Sequence, residues 1–513
     1  MAVTTFRANL NSGQFPFMSE LLGRTVLIPQ QDQSYVRFAT QDPSSQYALE
    51  AAQAYYMHNV MPSAQGYISI PFRQLAVPPG DTDKTFTSVN VIRDNNGNKA
   101  YLGTTSSGRC YILQNYLSGW LRTTDIVMPA GAQQVSTAFV QGVTYIYFQG
   151  IGCYTYNFST NVLTSVTLTS LNPALITGLI ANNGYLIAYG PNAVAWSSQV
   201  TITDFTPSLI TGAGGGNVQD AFGKIVTCLP NKTGFLVYTQ YNIVAAIFTG
   251  NPRYPFNFKP VIDSGGMASN QLIGYEPENT EQYAYTTDGL QVVTSQGTNT
   301  VFPECTDFLA GGYFEDFDDV NLVFNRTFVT SPLLKKLTVI ANRYLCISYG
   351  MFALTHCLIY DISLRRWGKL KIQHVECFEY LMMNTDQVDT PRQSVAFLQA
   401  DGTIILAMFA MDNPLSNGTI LFGRYQLQEG NMCTVHEVVI DAVRPDSNLR
   451  VYDFTSLDGI DYTATPVKGF LRNLSSLTRT YCFRNEAMNH SILMQGQFNL
   501  VSLVLRLTEG GVR

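Results

Sequence analysis

The sequence is short of charge and of the side chains that most often support catalysis. Only 13% of its 513 residues are charged, against about 25% in an average soluble domain. It has five histidines, and no two of them are spaced as HxH or HxxxH, so no histidine pair predicts a metal site. No run of basic residues exceeds two, whereas a dedicated nucleic-acid-binding protein normally carries a basic stripe.

The common motifs of catalytic sites are missing as well. There is no GxxxxGK[ST] phosphate loop and no GxSxG nucleophile elbow. The run Gly212–Gly216 does not fit a dinucleotide fingerprint, and we interpret it as a loop. The sequence has three tryptophans, so it offers few platforms for stacking sugars. We therefore predict that the chain is not an enzyme and binds no cofactor.

Neither a targeting nor a membrane-spanning segment is predicted. The start, MAVTTFRANLNSGQ, lacks a basic region followed by an apolar stretch. The most apolar run, Thr403–Met411, has nine residues, and a membrane helix needs about 20. The nine cysteines form no CxxC pair, which favours reduced, mostly buried thiols in a protein made in a cytosol.

What the sequence does contain is a recurring hairpin unit. A tight-turn pair and an apolar, often tyrosine-containing strand recur at Gly97, Gly142, Gly184, Gly234 and Gly289, and in weaker form at Arg343 and Gly402. Successive units lie 42 to 59 residues apart, and a second turn and strand follow each of them. Four short strands at this period predict the blades of an all-β fold, a β-propeller of about six to seven blades. A stack of β-sandwich domains would also contain many hairpins.

Two flanking regions differ from the repeats. We predict an N-terminal extension or docking region at 1–85, with a short helix at Ser44–His58 and a linker at Phe72–Asp83. The propeller is predicted at 86–430. Alternating strands in 431–513 predict a C-terminal antiparallel β domain of sandwich type.

Possible metal ligands lie close together in one stretch of the sequence. Cys346, His356, Cys357, His374 and Cys377 could in principle form a Cys/His metal site. They lack the spacing of a zinc knuckle, and each cysteine stands in a segment that reads as a buried strand. We therefore interpret them as core residues and predict no metal site.

One acidic cluster consists of Glu315, Asp316, Asp318 and Asp319. It does not match a calcium-binding EF-hand loop, and a solvated loop is the simplest interpretation. A further hypothesis makes these four residues candidates for a channel lining or an interface. Like charges repel phosphate, so an acidic lumen would let DNA pass without holding it.

Two stretches of the chain resemble the tail nozzle, or tail hub, proteins of short-tailed bacteriophages. The first comprises Val194–Leu209, with its Trp-Ser strand and Asp-Phe turn, and Gly223–Ser269, which ends in a Gly-Gly-Met. The second comprises Cys357–Ile372, in which a Tyr-Asp strand precedes a tryptophan, and Thr455–Asn473, with a Leu-Asp-Gly-x-x-Tyr turn. No resemblance covers the first 85 residues.

The resemblance implies a structural virion protein without catalytic residues. Nozzle subunits of this family form a homohexameric ring below the head-to-tail adaptor, or portal, assembly. The ring extends the exit channel of the genomic DNA, takes part in genome ejection and holds tail fibres or spikes nearby. The implied location is the virion tail, after synthesis in the host cytoplasm. Low charge and 59 Phe and Tyr residues suit large permanent interfaces.

Two other functions remain open at this stage. The same propeller could serve a receptor-binding or polysaccharide-degrading tail protein, which predicts a pocket with two carboxylates about 5 to 10 Å apart. A cellular scaffold propeller that binds peptides is the other alternative, although no WD or kelch signature occurs.

Overall fold

The computed structural model describes residues 3–8, 26–27, 54–63, 66–70, 72–75, 85–94, 96, 98–113, 119–129, 134–276, 279–318, 323–382, 392–407, 418–426, 432–442, 449–456, 463–466, 472–473 and 478–509. Strands dominate this part of the chain. Its helices are one α-helix, Pro303–Ala310, and 3₁₀ turns at Pro173–Leu175 and Asn270–Leu272. Within the same residues, no helix is long and apolar enough to cross a membrane.

Seven antiparallel four-stranded units follow one another around a ring, and we call them blades 1 to 7. Blades 1 and 2 consist of Phe86–Arg93, Lys99–Thr105, Arg109–Leu113 and Leu121–Val127, then Val135–Val140, Val143–Phe148, Gly152–Asn157 and Val162–Val166. Blades 3 and 4 consist of Gly178–Asn182, Tyr185–Tyr189, Ala193–Trp196 and Gly214–Asn217, then Ile225–Asn231, Gly234–Thr239, Ile243–Phe248 and Phe256–Pro260. Blades 5 and 6 consist of Ile273–Gly274, Gln282–Thr286, Gly289–Val293 and Thr298–Thr300, then Leu334–Ile340, Tyr344–Gly350, Leu354–Asp361 and Arg366–His374.

Blade 7 is completed by a strand from the other end of the propeller. Its first three strands are Glu376–Met382, Arg392–Leu398 and Ile404–Ala407, and its fourth is Phe72–Leu75. The register pairs Ile404 with Leu75 and Ala407 with Phe72. The first strand of blade 7 in turn packs against the first strand of blade 1. The ring is therefore closed by pairing residues that lie more than 300 positions apart in the chain.

The middle strands explain the apolar, tyrosine-rich segments of the sequence. All six residues of Gly234–Thr239 are buried, as are all five of Tyr185–Tyr189. A blade has a neighbour on both faces, so its strands need apolar side chains on both faces rather than in alternation. The tyrosines also need hydrogen-bond partners: the Tyr238 hydroxyl donates to Gln282 Oε1 of blade 5 at 2.7 Å, and Tyr189 pairs with Thr227 of blade 4 at 3.2 Å.

The remaining strands form a β-sandwich that is continuous with blade 6. The last strand of blade 6 pairs with Val60–Pro62 at Lys369 and Val60. The sheet continues through Tyr67–Ser69, Asn499–Glu509, Cys433–Ala442, Thr478–Ala487 and Arg472–Asn473, with Val3–Ala8 beside Asn499–Glu509. The opposing sheet contains Val26–Leu27, Gly418–Gln426, Asn489–Gly496, Arg450–Ser456 and Thr463–Pro466, with Ala54–His58 beside Gly418–Gln426.

The sandwich core is built from both ends of the chain. Met57, Val60 and Tyr67 pack in one buried cluster with side chains of the C-terminal strands, among them Phe422 and Leu503. Polar contacts hold the joint to blade 6 as well. The Arg366 guanidinium donates to the carbonyl oxygen of Ser63 at 2.9 Å, and the amide of Lys371 donates to Asn59 Oδ1 at 3.0 Å.

The predicted fold class is confirmed: the chain is a β-propeller, with seven blades, and carries an antiparallel β domain in its C-terminal part. Two of the predicted hairpins show why their sequences were informative. Gln141–Gly142 and Asn183–Gly184 have positive φ at both residues, as the common two-residue turn requires. The residue Gly97 of the first unit lies outside the described residues.

Three segments differ from the expectations above. The helix predicted at Ser44–His58 is wrong for Ala54–His58, which is a strand beside Gly418–Gln426; residues 44–53 lie outside the described residues. The segment predicted as a linker begins with the strand that closes blade 7, and Gly418–Gln426, placed within the propeller by sequence, lies in the sandwich. In each case pairing with a distant strand decided the structure, and the local sequence does not contain that information.

Closure of the ring can be tested with two glycines that both have positive φ. At Gly402 of blade 7 an added Cβ would lie 2.7 Å from the Phe86 ring of blade 1, whereas at Gly250 it would meet nothing within 4 Å. Gly250→Ala should cost about 1 kcal/mol of unfolding free energy, because only the backbone is strained. Gly402→Ala should cost roughly 1–3 kcal/mol more, because its methyl group also overpacks the junction. Urea denaturation of both variants measures this difference, and equal losses would contradict the tight junction.

Candidate functional site

The first strands of the seven blades enclose a central cavity of about 680 Å³. This volume is that of a small-molecule site. Its wall is built from Ser88–Asp94, Val135, Thr137–Phe139, Ala181, Pro230, Ile273–Glu276, Leu337–Val339 and Glu376–Glu379, in the order of the blades.

The carboxylates of blade 7 in this wall are held by cations from both neighbouring blades. Glu379 accepts from Arg93 Nη2 at 2.8 Å and lies 2.6 Å from Lys99 Nζ, both in blade 1. Glu376 accepts from Lys336 Nζ of blade 6 at 2.9 Å. Burial raises the pKa of Glu376, and the ammonium group of Lys336 offsets part of that rise. These three ion pairs therefore link blade 7 to blades 6 and 1.

Three of the four acidic candidates lie in one hairpin. Glu315, Asp316 and Asp318 belong to the strand Gly312–Asp318, which pairs with Val323–Val329 between blades 5 and 6. The register places Glu315 opposite Arg326. Asp319 lies outside the described residues.

The cysteines of the sequence cluster are brought together. Cys346 lies in the second strand of blade 6, Cys357 in the third, and Cys377 in the first strand of blade 7. Their three Sγ atoms lie within 4.8 Å of one another, and all three residues are buried. The sequence-based interpretation of buried strand positions is confirmed for each cysteine, but it did not foresee that the three would meet.

The two histidines of that stretch have different surroundings. His374 is buried, with Nδ1 2.7 Å from the carbonyl oxygen of Ile372 and Nε2 2.7 Å from Ser348 Oγ. Burial lowers the pKa of His374, although the nearby Cys357 partly offsets this. His356 instead stacks on Tyr349 and hydrogen-bonds Thr355 through Nδ1 at 2.9 Å. His374 therefore lies within the electrostatic environment of Cys357.

The thiols also differ in acidity. Burial raises the pKa of Cys346 and of Cys377 well above the ordinary value of a thiol. Burial acts on Cys357 in the same sense, but the hydrogen bonds from the other two thiols and the nearby His374 outweigh it, so its pKa is well below the ordinary value.

Large apolar side chains are exposed on both faces of the propeller, and four of them lie in loops of blades 3 and 4 on one face. We call this the lower face; it carries the loops that join first to second and third to fourth strands. The set comprises Val200, Leu209 and Ile210 of blade 3 and Tyr254 of blade 4, and Ile210 is 96% exposed. The loops touch one another: Gln141 Nε2 donates to the Gln199 carbonyl at 2.8 Å, and Gly212 lies against Pro252. Exposed apolar groups of this kind mark interaction surfaces.

Comparisons with known proteins identify the fold and no family. No family model matches the chain, and no curated protein matches it. Among solved structures it is similar to Ycf48 bound to a D1 peptide, at 10% identity and a TM-score of 0.38, with 68% of this chain and 100% of that one covered. The WD40 β-propeller domain of Doa1 gives 9% identity, a TM-score of 0.38 and the same coverage. Ycf48 from Cyanidioschyzon merolae gives 13% identity and a TM-score of 0.36, with 66% of this chain and 98% of that one covered. Likeness at this level concerns the fold alone.

The sandwich contains a buried histidine–aspartate pair. His490 and Asp453 have no solvent exposure, and Nδ1 of the ring lies 3.0 Å from Asp453 Oδ2. Nε2 lies 3.1 Å from the carbonyl oxygen of Cys433, so both ring nitrogens face groups that only accept. Burial alone lowers the pKa of His490, but the Asp453 carboxylate and these hydrogen bonds raise it to about 10.

This pair predicts how stability depends on pH. The pKa of His490 is higher in the folded chain than in the unfolded chain, where it is about 6.5. Protonation of His490 therefore contributes fully to the unfolding free energy below pH 6.5, and this contribution is lost as pH rises towards 10. The unfolding free energy of the wild type should therefore fall, relative to His490→Gln, by up to about 1.4 kcal/mol per pH unit in that window. Urea denaturation at several pH values measures it. His436→Gln, at a half-buried histidine of the same domain, is the control; equal slopes in wild type and His490→Gln would contradict the prediction.

Proposed function

We propose that the chain is a structural subunit of a bacteriophage virion, a tail nozzle protein that assembles into a homohexameric ring. The resemblance in Val194–Leu209, Gly223–Ser269, Cys357–Ile372 and Thr455–Asn473 motivates this proposal. The observation that carries it is the hydrogen-bonded sheet that runs from blade 6 into the sandwich through Val60–Pro62. A sheet shared between two domains leaves no flexible linker there, which suits a part whose function is its shape.

The lower face supplies a surface for ring contacts. In a monomer, four apolar side chains of this face are exposed to water without any gain in stability: Val200, Leu209, Ile210 and Tyr254. Burial of apolar surface stabilises association by about 25 cal/mol per Å² of area removed from water, before the costs of association are subtracted. A permanent neighbouring subunit on this face would bury these side chains.

The size of the propeller cavity supports one arrangement of the proposed DNA channel. The cavity inside one propeller, about 680 Å³, has the size of a small-molecule site and its wall is crossed by ion pairs. In our proposal the genome therefore passes between the subunits and not through a propeller. Six copies carry a formal charge of 6 × −6 = −36, which disfavours tight binding of phosphate.

Assembly is the first test. Native mass spectrometry of the full chain, alone and with the head-to-tail adaptor, should show a species of about six times 56.8 kDa. Replacing Leu209 and Ile210 by serine should shift that species to monomer without lowering the monomer's thermal stability, since both side chains are exposed. Phe352→Ser is the matched control, because Phe352 is 93% exposed in a turn on the opposite face.

Three results would contradict this proposal. One is an unchanged ring in the Leu209/Ile210 variant, and another is equal loss of the ring in the Phe352 control. The third is a monomer that binds no virion component. If this monomer also released reducing sugar from host polysaccharide, the receptor-binding or polysaccharide-degrading alternative would replace the nozzle proposal.

The acidic hairpin gives a second, functional test. Replacing Glu315, Asp316, Asp318 and Asp319 by lysine should slow genome release without blocking assembly, because added positive charge would hold phosphate. The rate of DNA ejection from reconstituted particles measures this, and the slowing should weaken as salt is raised. Unchanged ejection kinetics in intact particles would remove these four residues from the channel or interface.

A further inference from the structure

We propose that Cys346, Cys357 and Cys377 form a binding site for one thiophilic metal ion, Zn²⁺, between blades 6 and 7. The proposal rests on the geometry of these residues and does not depend on the function proposed above. Among the described residues, this is the one group of three or more histidine, cysteine or acidic side chains whose ligand atoms converge closely enough to hold an ion.

The strand register explains why the three thiols meet. In blade 6, Ser348 pairs with Cys357 and Cys346 pairs with Ile359. Paired residues share a face of the sheet, and so do residues two apart in one strand, so Cys346 and Cys357 lie on the same face. Cys377 comes from the first strand of blade 7, and all three belong to one buried cluster with side chains of both blades.

The distances fit a metal ion after a small contraction. Three atoms at most 4.8 Å apart have a common centre no more than 4.8/√3, or about 2.8 Å, from each atom, and a Zn–S bond measures about 2.3 Å. A shift of about 0.5 Å per sulfur atom would therefore seat the ion. Thiolate sulfur is the ligand that zinc prefers in structural sites.

His374 lies near Cys357. Its ring nitrogens are not within 4.8 Å of all three sulfur atoms, so the ring would have to move towards the thiols to supply the fourth ligand. The Ile372 carbonyl oxygen can only accept, so the proton of a neutral ring lies on Nδ1 and the lone pair lies on Nε2. That lone pair now accepts from Ser348 Oγ, and Ser348 stands opposite Cys357 in the register. A backbone carbonyl that fixes Nδ1–H is a common support for a zinc-binding histidine. Binding of Zn²⁺ by three thiols and this neutral ring would release three protons and leave a site of charge −1.

Burial determines how the ion would enter and what it would do. The cysteines are 0%, 0% and 3% exposed, so the ion would be taken up while blades 6 and 7 come together and would exchange slowly afterwards. Because it would join blades 6 and 7, it would stabilise the closed ring.

The experiment measures metal content in the full chain. Protein is produced in medium supplemented with equal zinc and copper, dialysed against a weak chelator and analysed by inductively coupled plasma mass spectrometry. We expect about one zinc per wild-type chain and at least a fivefold loss in Cys357→Ser and Cys377→Ser. Cys228→Ser is the matched control, since Cys228 is fully buried in blade 4 away from the cluster, and it should keep its zinc.

A second measurement starts from the wild type, so that a cysteine variant that fails to fold cannot decide the matter. The chain is refolded with Co²⁺, whose absorption reports tetrahedral thiolate coordination, and His374→Gln should change that spectrum if the ring is a ligand. Folded wild-type chain without zinc, a control variant that loses zinc as fully as the cluster variants, or copper bound in place of zinc would each overturn the proposal.

Discussion

Four residues that precede the first blade, Phe72–Leu75, complete the last blade by pairing with Ile404–Ala407. Every blade depends on this pairing, because a blade with apolar side chains on both faces is stable only between two neighbours. The buried second strands of blades 3 and 4 show the consequence, since no polar face remains on them. An open arc of such blades would expose two apolar faces, and closure removes both.

The closing strand also accounts for the interleaving of the two domains. The chain contributes Ala54–Ser69 to the sandwich before it closes the propeller, and it returns to the sandwich at Gly418 after the last blade strand. The sandwich therefore needs both ends of the chain, and the propeller needs the strand between them. Neither domain can be cut out as one continuous segment, and the two share a sheet where blade 6 pairs with Val60–Pro62.

The sequence predicts those parts of the fold that are encoded locally. Asn183–Gly184 encodes a tight hairpin whatever surrounds it, and repeated hairpins with apolar strands were enough to predict a propeller. The segments Ala54–His58 and Phe72–Leu75 are strands because they pair with partners more than 300 residues away. Their local sequence therefore predicted a helix for the first and a linker for the second. The cysteine cluster is an intermediate case: the alternation of side chains could place Cys346 and Cys357 on one face, but Cys377 joins them only through packing between blades.

The polar groups at the blade boundaries determine which blades become neighbours in the ring. Apolar faces of similar blades could pack in many combinations, because hydrophobic attraction has no direction. The polar contacts differ from boundary to boundary: Tyr189 meets Thr227 between blades 3 and 4, Tyr238 meets Gln282 between 4 and 5, and Glu379 meets Arg93 between 7 and 1. The hydroxyls of Tyr189 and Tyr238 and the Glu379 carboxylate are buried, so each would lose these partners beside the wrong neighbour, at a cost of about 1–3 kcal/mol. The three thiols at the boundary of blades 6 and 7 follow the same rule, since they converge only when those two blades are adjacent.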